Sequence, residues 1–223
     1  WAAGISRICP TLSSNNLMSW AAGNSAFSTS PDWAGGRINS LSVDYARAVT
    51  GATYWMFYTI EGSNKIGAAS GTTAAGPYTD RGVFLTNTDV NSTTLKDPFL
   101  IVISTSYYLC YTTDDGTYIQ RITLNRMRGV AKSGAAIKLT EKVFGNVAIV
   151  RINSNHFYLV GTVNKEPGTE IRYAMASKIT GPYLDKKGTQ LTEGSTGELL
   201  LESGRDIINP ENPMRGFVNE KGT

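Results

Sequence analysis

Histidine occurs once in the 223 residues, as His156, and cysteine twice, as Cys9 and Cys110. Three such side chains without ligand spacing cannot complete a tetrahedral zinc site, so no structural metal held by cysteine or histidine is expected. Cys110 stands inside the apolar run Tyr107-Tyr108-Leu109-Cys110-Tyr111, where a thiol behaves as a small buried hydrophobe, and nothing in the spacing demands a disulfide with Cys9. Long apolar runs are also lacking. None approaches the roughly 20 residues that span a bilayer as a helix, and the N-terminus has no charged-then-apolar leader pattern. An excess of one charge is lacking too, since 21 Lys and Arg face 18 Asp and Glu. These charges are scattered rather than gathered into a stripe, which argues against a nucleic-acid partner and for a neutral one. Finally, no window of a dozen residues holds a helical period.

What is present is repetition. The run Gly67-Ala68-Ala69-Ser70 followed by Gly76-Pro77-Tyr78-Thr79-Asp80 returns as Ala174-Met175-Ala176-Ser177 followed by Gly181-Pro182-Tyr183-Leu184-Asp185, with Gly76 and Gly181 standing 105 positions apart. A shorter echo begins at Tyr54, Tyr107 and His156, with starts 53 and 49 residues apart. Each of these runs is short, aromatic and β-branched, and bounded by Gly, Asn, Asp or Ser, which reads as a strand. Further strands are expected at Asp97 to Ser104, Thr117 to Leu124, Val147 to Ile152 and Glu170 to Ser177. A period of about 50 residues with three or four strands in each unit predicts an all-β fold of propeller type, with two stacked sandwiches as the rival. The 105-residue echo favours the propeller. With 41% hydrophobic residues the chain can bury the core of one domain, residues 1–223. The repeat count does not close, so parts of the first and last blades are expected to lie outside this chain.

On these motifs the chain resembles the family 43 glycoside hydrolases, five-bladed β-propellers that include arabinanases, arabinofuranosidases and β-xylosidases. Ser14-Asn15-Asn16-Leu17-Met18-Ser19-Trp20 is similar to the family's Ser-x-Asp-Leu-x-x-Trp, with Asn16 in place of Asp. Asn39-Ser40-Leu41-Ser42-Val43 falls where the family often has Trp-Ala-Pro-x-Val. Ile66 to Ser70 and Gly76-Pro77-Tyr78 match the Ile-Gly-x-Ala-x-Ser and Gly-Pro-Trp/Tyr pattern. These residues have structural duties of their own, as turn formers and as small side chains between sheets, and they identify a fold before any reaction.

The resemblance implies inverting hydrolysis of O-glycosyl bonds in arabinose- or xylose-containing polysaccharides, with no cofactor required, and a secreted, periplasmic or cell-surface location. Inversion needs a carboxylic acid to protonate the leaving oxygen and a carboxylate to activate water, about 6.5–9.5 Å apart. In the family a third carboxylate tunes the acid from an Asp-Pro motif, which Lys96-Asp97-Pro98-Phe99 resembles. The bland reading of Asp97 is an Asp satisfying backbone donors at a strand entry. The family's base precedes the strand leading to Trp20, ahead of where this chain starts; Asp32 and Asp44 follow Trp20 and read as loop or surface carboxylates. The acid should be a Glu in a Glu-Gly/Ala-Pro element. Here Phe144 or Gly145 takes that position and Glu141 is the nearest acid, with a solvated carboxylate as its bland reading.

Where many members carry Gly-Pro-Gly-His, this chain has Asn209-Pro210-Glu211-Asn212. An Asn can coordinate a cation through its carbonyl, so a central Ca²⁺ stays open without being required. Trp33, Tyr54, Trp55 and Phe144 offer flat apolar faces that suit a sugar ring. The expected catalytic carboxylates are thus Asp97 and Glu141, and the expected substrate-binding residues Trp33, Phe144 and Asn212. His156 reads as a packing residue in its strand, and Asn91-Ser92-Thr93 as a glycosylation acceptor by pattern. The alternatives to a hydrolase are a propeller that binds glycans without cleaving them, suggested by the missing Glu and His, and a protein-interaction platform.

Overall fold

A computed structural model describes residues 10–13, 21–27, 29, 31–35, 37–51, 54–141, 144–165 and 168–202. Among them the regular structure is β-strand, with two short 3-10 turns at Thr88–Val90 and Leu191–Glu193. The first two strands, β1 (Pro10–Ser13) and β2 (Ala21–Ser25), form an antiparallel hairpin. Three antiparallel meanders come after it. The chain divides into two compact units, Trp1–Leu109 with Arg121–Gly134, and Cys110–Gln120 with Ala135–Thr223.

In the first unit, β3 (Ile38–Tyr45), β4 (Tyr54–Ile60), β5 (Lys65–Gly71) and β6 (Thr79–Thr86) pair in chain order as a four-stranded sheet. The aromatic run that marks β4 is buried from Trp55 to Ile60. Side chains alternate across a strand, so Met56 and Tyr58 join Phe27, Ala69 and Tyr78 in one core on one face, while Phe57 meets Phe84 edge-on at 5.8 Å from the other. Each large side chain so buried contributes on the order of 1.5–3 kcal/mol. The next strand, β7 (Leu95–Ile103), is tied to this sheet where the Leu100 amide donates to Ser42 Oγ at 3.0 Å.

The middle sheet orders β7, β8 (Ser106–Thr113), β9 (Thr117–Asn125) and β10 (Gly129–Lys132), and β9 also pairs with β11 (Ile137–Thr140). Lys132 lies opposite Ile122 and Ile137 opposite Ile119 on the same edge of β9. The outer strand is therefore one edge interrupted around Gly134 (φ 100°), a conformation glycine takes without strain.

In the second unit, β12 (Phe144–Asn153), β13 (His156–Lys165), β14 (Gly168–Ala176) and β15 (Glu198–Glu202) again pair in chain order. The three echoed runs of the sequence are thus β4, β8 and β13, the second strand of each sheet. The longer echo is also physical. Tyr78 donates to the carbonyl of Ala74 and Tyr183 to that of Ile179, each four residues back, at 2.7 and 2.9 Å. Gly76 and Gly181 hold φ of 87° and 80° in the two turns. His156 departs from its reading as a packing residue. It is exposed, at the start of β13, and its Nδ1 lies 2.8 Å from Asn153 Oδ1, which also accepts the Asn155 amide in the preceding turn.

Candidate functional site

Asp97 is the third residue of β7 and is 8% exposed. Its φ is 55°, in the left-handed region inside a strand. Asp tolerates that conformation better than most residues, yet it still costs about 1–2 kcal/mol. A buried carboxylate on a locally strained backbone is the kind of placement that fixes a side chain's aim. Pro98 comes next and is buried as well.

Phe144 opens β12 and is 1% exposed. Its ring lies over glycine on two sides: a Cβ on Gly161 would come within 2.8 Å of Phe144 Cδ1, and one on Gly197 within 3.5 Å of Cζ. Two positions on, Asn146 adopts φ 47° where the register of β12 against β13 shifts between Gly145 and Ala148. The bulge is pinned by Thr162 Oγ1, which donates to the Gly145 carbonyl at 3.0 Å. The structure thus places Phe144 in packing, with its ring covered.

Glu141 precedes this strand and belongs to a polar cluster in the same unit. Its carboxylate receives Lys138 Nζ at 3.2 Å, and Lys138 reaches Asp115 Oδ1 at 3.6 Å. Its carbonyl accepts the Phe144 amide, and its own amide donates to the Leu191 carbonyl. Asp115 in turn accepts the Tyr118 hydroxyl at 2.8 Å. Burial, and after it the neighbouring Asp115 carboxylate, pushes the Tyr118 phenol up to about 12.

Trp33 sits in the turn before β3, where the Ala34 amide donates to the Pro31 carbonyl. Its ring stacks on Tyr58 at 5.3 Å and 27°, and its Nε1 donates to Asp80 Oδ2 at 3.2 Å. The same carboxylate accepts the Tyr58 hydroxyl at 2.7 Å. Burial, and after it this hydrogen bond, holds the Tyr58 phenol far above its ordinary range. Asp80 and Tyr58 were not singled out by sequence, although Asp80 closes the repeated Gly-Pro-Tyr-x-Asp motif. Of the other residues, Asn212 lies outside the described residues. Asp32 is exposed, and Trp55 is fully buried. Cys110 is a buried thiol. Among the described residues no three His, Cys, Asp or Glu side chains are grouped to hold a metal, and no helix is long and apolar enough to cross a membrane.

No protein-family model matches the chain. Among curated proteins it is 25% identical over 215 residues to the extracellular endo-alpha-(1->5)-L-arabinanase 1 of Bacillus subtilis (strain 168), covering 87% of this chain and 65% of that protein. The chain therefore spans just under two thirds of the length of the curated relative it matches. Among solved structures it is similar to the family 43 endo-arabinanase from Bacillus licheniformis, with a TM-score of 0.69 at 22% identity over 88% of this chain and 73% of that one. It is likewise similar to the alpha-L-arabinanase of Cellvibrio cellulosa complexed with arabinohexaose, with a TM-score of 0.66 at 19% identity over 86% and 71% of the two chains. On these likenesses the chain has the propeller fold of the family 43 glycoside hydrolases.

Proposed function

We propose that the chain is a carbohydrate-active propeller whose ligand is an arabinan-type polysaccharide, hydrolysed at its O-glycosyl bonds with inversion. The observation that carries this reading is Asp97, buried and held in the left-handed region at the Asp-Pro position where the family has its tuning carboxylate. The arabinanase relative supplies the sugar, and a xylose-containing chain is the next substrate to try. The resemblance makes Asp97 the candidate tuning carboxylate and Glu141 the candidate acid. To act as the acid, Glu141 must release Lys138 and take up a proton from solvent, which it then passes to the glycosidic oxygen. The chain's proposed place of action is outside the cell, in line with the extracellular relative.

A second reading, a propeller that holds the polysaccharide without cleaving it, is favoured by the full burial of Phe144 at the position expected of the acid. Release of reducing ends from α-1,5-arabinan and hydrolysis of aryl arabinofuranosides and xylosides decide between the two. The hydrolase reading expects turnover that falls by about 100-fold or more in Asp97→Asn, the scale of a lost acid-base contribution. A parallel loss in Glu141→Gln would assign the acid. Absence of turnover with polysaccharide still bound refutes the hydrolase and leaves the binding propeller.

A further inference from the structure

The tryptophans of the first sheet differ in a way that composition does not reveal. Trp55 is wholly buried in β4. Trp33, from a loop, is only partly buried. One ring face rests on Tyr58, and its N–H is taken by Asp80. Its far edge lies over Gly67, where any Cβ would overlap the Cζ2 atom of the ring. A ring fixed on one face, at its polar atom and at one edge cannot turn to bury the part still open to solvent. A flat apolar surface held rigidly beside a carboxylate is what a sugar ring stacks on, because little conformational entropy is lost when the ligand arrives.

The repeated motif supplies an independent observation. Asp185, the counterpart of Asp80, is spent on its own turn: it accepts the amides of Lys187 and Thr189 and the Ser195 hydroxyl. Asp80 instead bridges two aromatic side chains, Trp33 at 47 and Tyr58 at 22 residues' separation. The same position does local work in one repeat and long-range work in the other.

We propose that Asp80 is a positioning residue that holds Trp33, through its indole N–H and through Tyr58, as a stacking platform for one sugar ring of a neutral oligosaccharide. The inference rests on the carbohydrate-binding reading above and adds to it a subsite and the residues that build it. Gly67 is part of the seat, since a larger side chain there lifts the ring.

The test is isothermal titration calorimetry of the full chain with α-1,5-arabinohexaose, and with xylohexaose as a second probe, alongside thermal melting of each variant. Trp33→Ala is expected to weaken binding about tenfold, or about 1.4 kcal/mol. Asp80→Ala and Gly67→Ala should approach that loss, and Asp80→Asn, which keeps one acceptor, should fall between them and the wild type. Trp33→Phe, which removes the indole bond to Asp80, should lose less than Trp33→Ala, and in the Trp33→Phe background Asp80→Ala should cost less than it does alone, because the two share that bond. If Trp33→Ala binds as tightly as the wild type, the platform is refuted. If Trp33→Ala weakens binding while Asp80→Asn and Asp80→Ala lower only the melting temperature, Asp80 is structural and its positioning role is refuted. A wild-type chain that binds neither sugar overturns the carbohydrate reading itself, and this proposal with it.

Discussion

Removing the Phe144 ring separates packing from sugar stacking. The side chain is 1% exposed and fills space left by Gly161 and Gly197, so Phe144→Ala loses the transfer energy of the ring and opens a cavity that the surrounding strands cannot fully close. A cost of about 3–5 kcal/mol is expected. For a chain of this size each kcal/mol lowers the melting temperature by about 2–4 °C, so the midpoint should fall by about 6–20 °C in differential scanning calorimetry. Gly161→Ala should cost about 1–3 kcal/mol by overpacking, because its new methyl would meet Phe144 Cδ1 at 2.8 Å. In the Phe144→Ala background much of that penalty should vanish, as expected for groups in direct contact. A sugar-stacking Phe144 gives the opposite result, lost affinity with little change in melting. A drop of less than about 3 °C in Phe144→Ala, or penalties that simply add, would refute the packing account.

Acid sensitivity should trace in part to Glu170, which is 3% exposed in β14. Its hydrogen bond with Arg172 outweighs burial and, with Lys165 assisting, holds the carboxyl below its usual range. A depressed folded value means the stabilisation is complete above the unfolded value of about 4.3 and is lost as pH falls through the folded one. The wild-type melting temperature should therefore drop more steeply below about pH 4 than that of Glu170→Gln; parallel pH profiles would contradict this. At Asp97, backbone and charge can be parted by calorimetry. Asp97→Asn should leave stability nearly unchanged, while Asp97→Val, β-branched at φ 55°, should lose about 1–2 kcal/mol, and equal melting of the two would refute backbone strain at this site.

Much of the fold was legible because the signals were local. The runs at Tyr54, Tyr107 and His156 carry enough aromatic and β-branched residues to mark the second strand of each four- or five-stranded sheet, and β7, β9 and β14 fall within two residues of where the sequence led us to expect strands. The beginning of β12 was less legible. It starts at Phe144 rather than Val147, because the bulge at Asn146 breaks the two-residue period that reveals a strand. His156 looked like a packing residue from its run, but the first residue of a strand after a tight turn faces solvent. The site was less legible still. Asp97 was singled out on its neighbour Pro98, a contiguous motif, while its burial and left-handed φ are visible only in the structure. The burial of Phe144 depends on Gly161 and Gly197, distant in sequence, and the seat of Trp33 depends on Gly67 and Asp80.

The contrast between Asp80 and Asp185 shows how one repeated motif can keep a fold and still yield a new interaction. Both copies retain the elements that the turn requires, a left-handed glycine and a tyrosine closing back on a carbonyl four residues earlier. They differ in the path of the chain beyond the aspartate. After Asp185 the chain turns through Lys186 to Gln190, and its amides point back at the carboxylate, which they hold together with Ser195. After Asp80 the chain continues as β6, whose register partners lie on β5, so the local backbone runs on as strand instead of wrapping that carboxylate. An aspartate relieved of turn duty beside a sheet face carrying Tyr58 accepts whatever donors pack there, and here those are the phenol and the indole of Trp33. The insertion of a turn after Asp80 would accordingly be expected to undo the Trp33 seat while leaving the tyrosine closure of the motif intact.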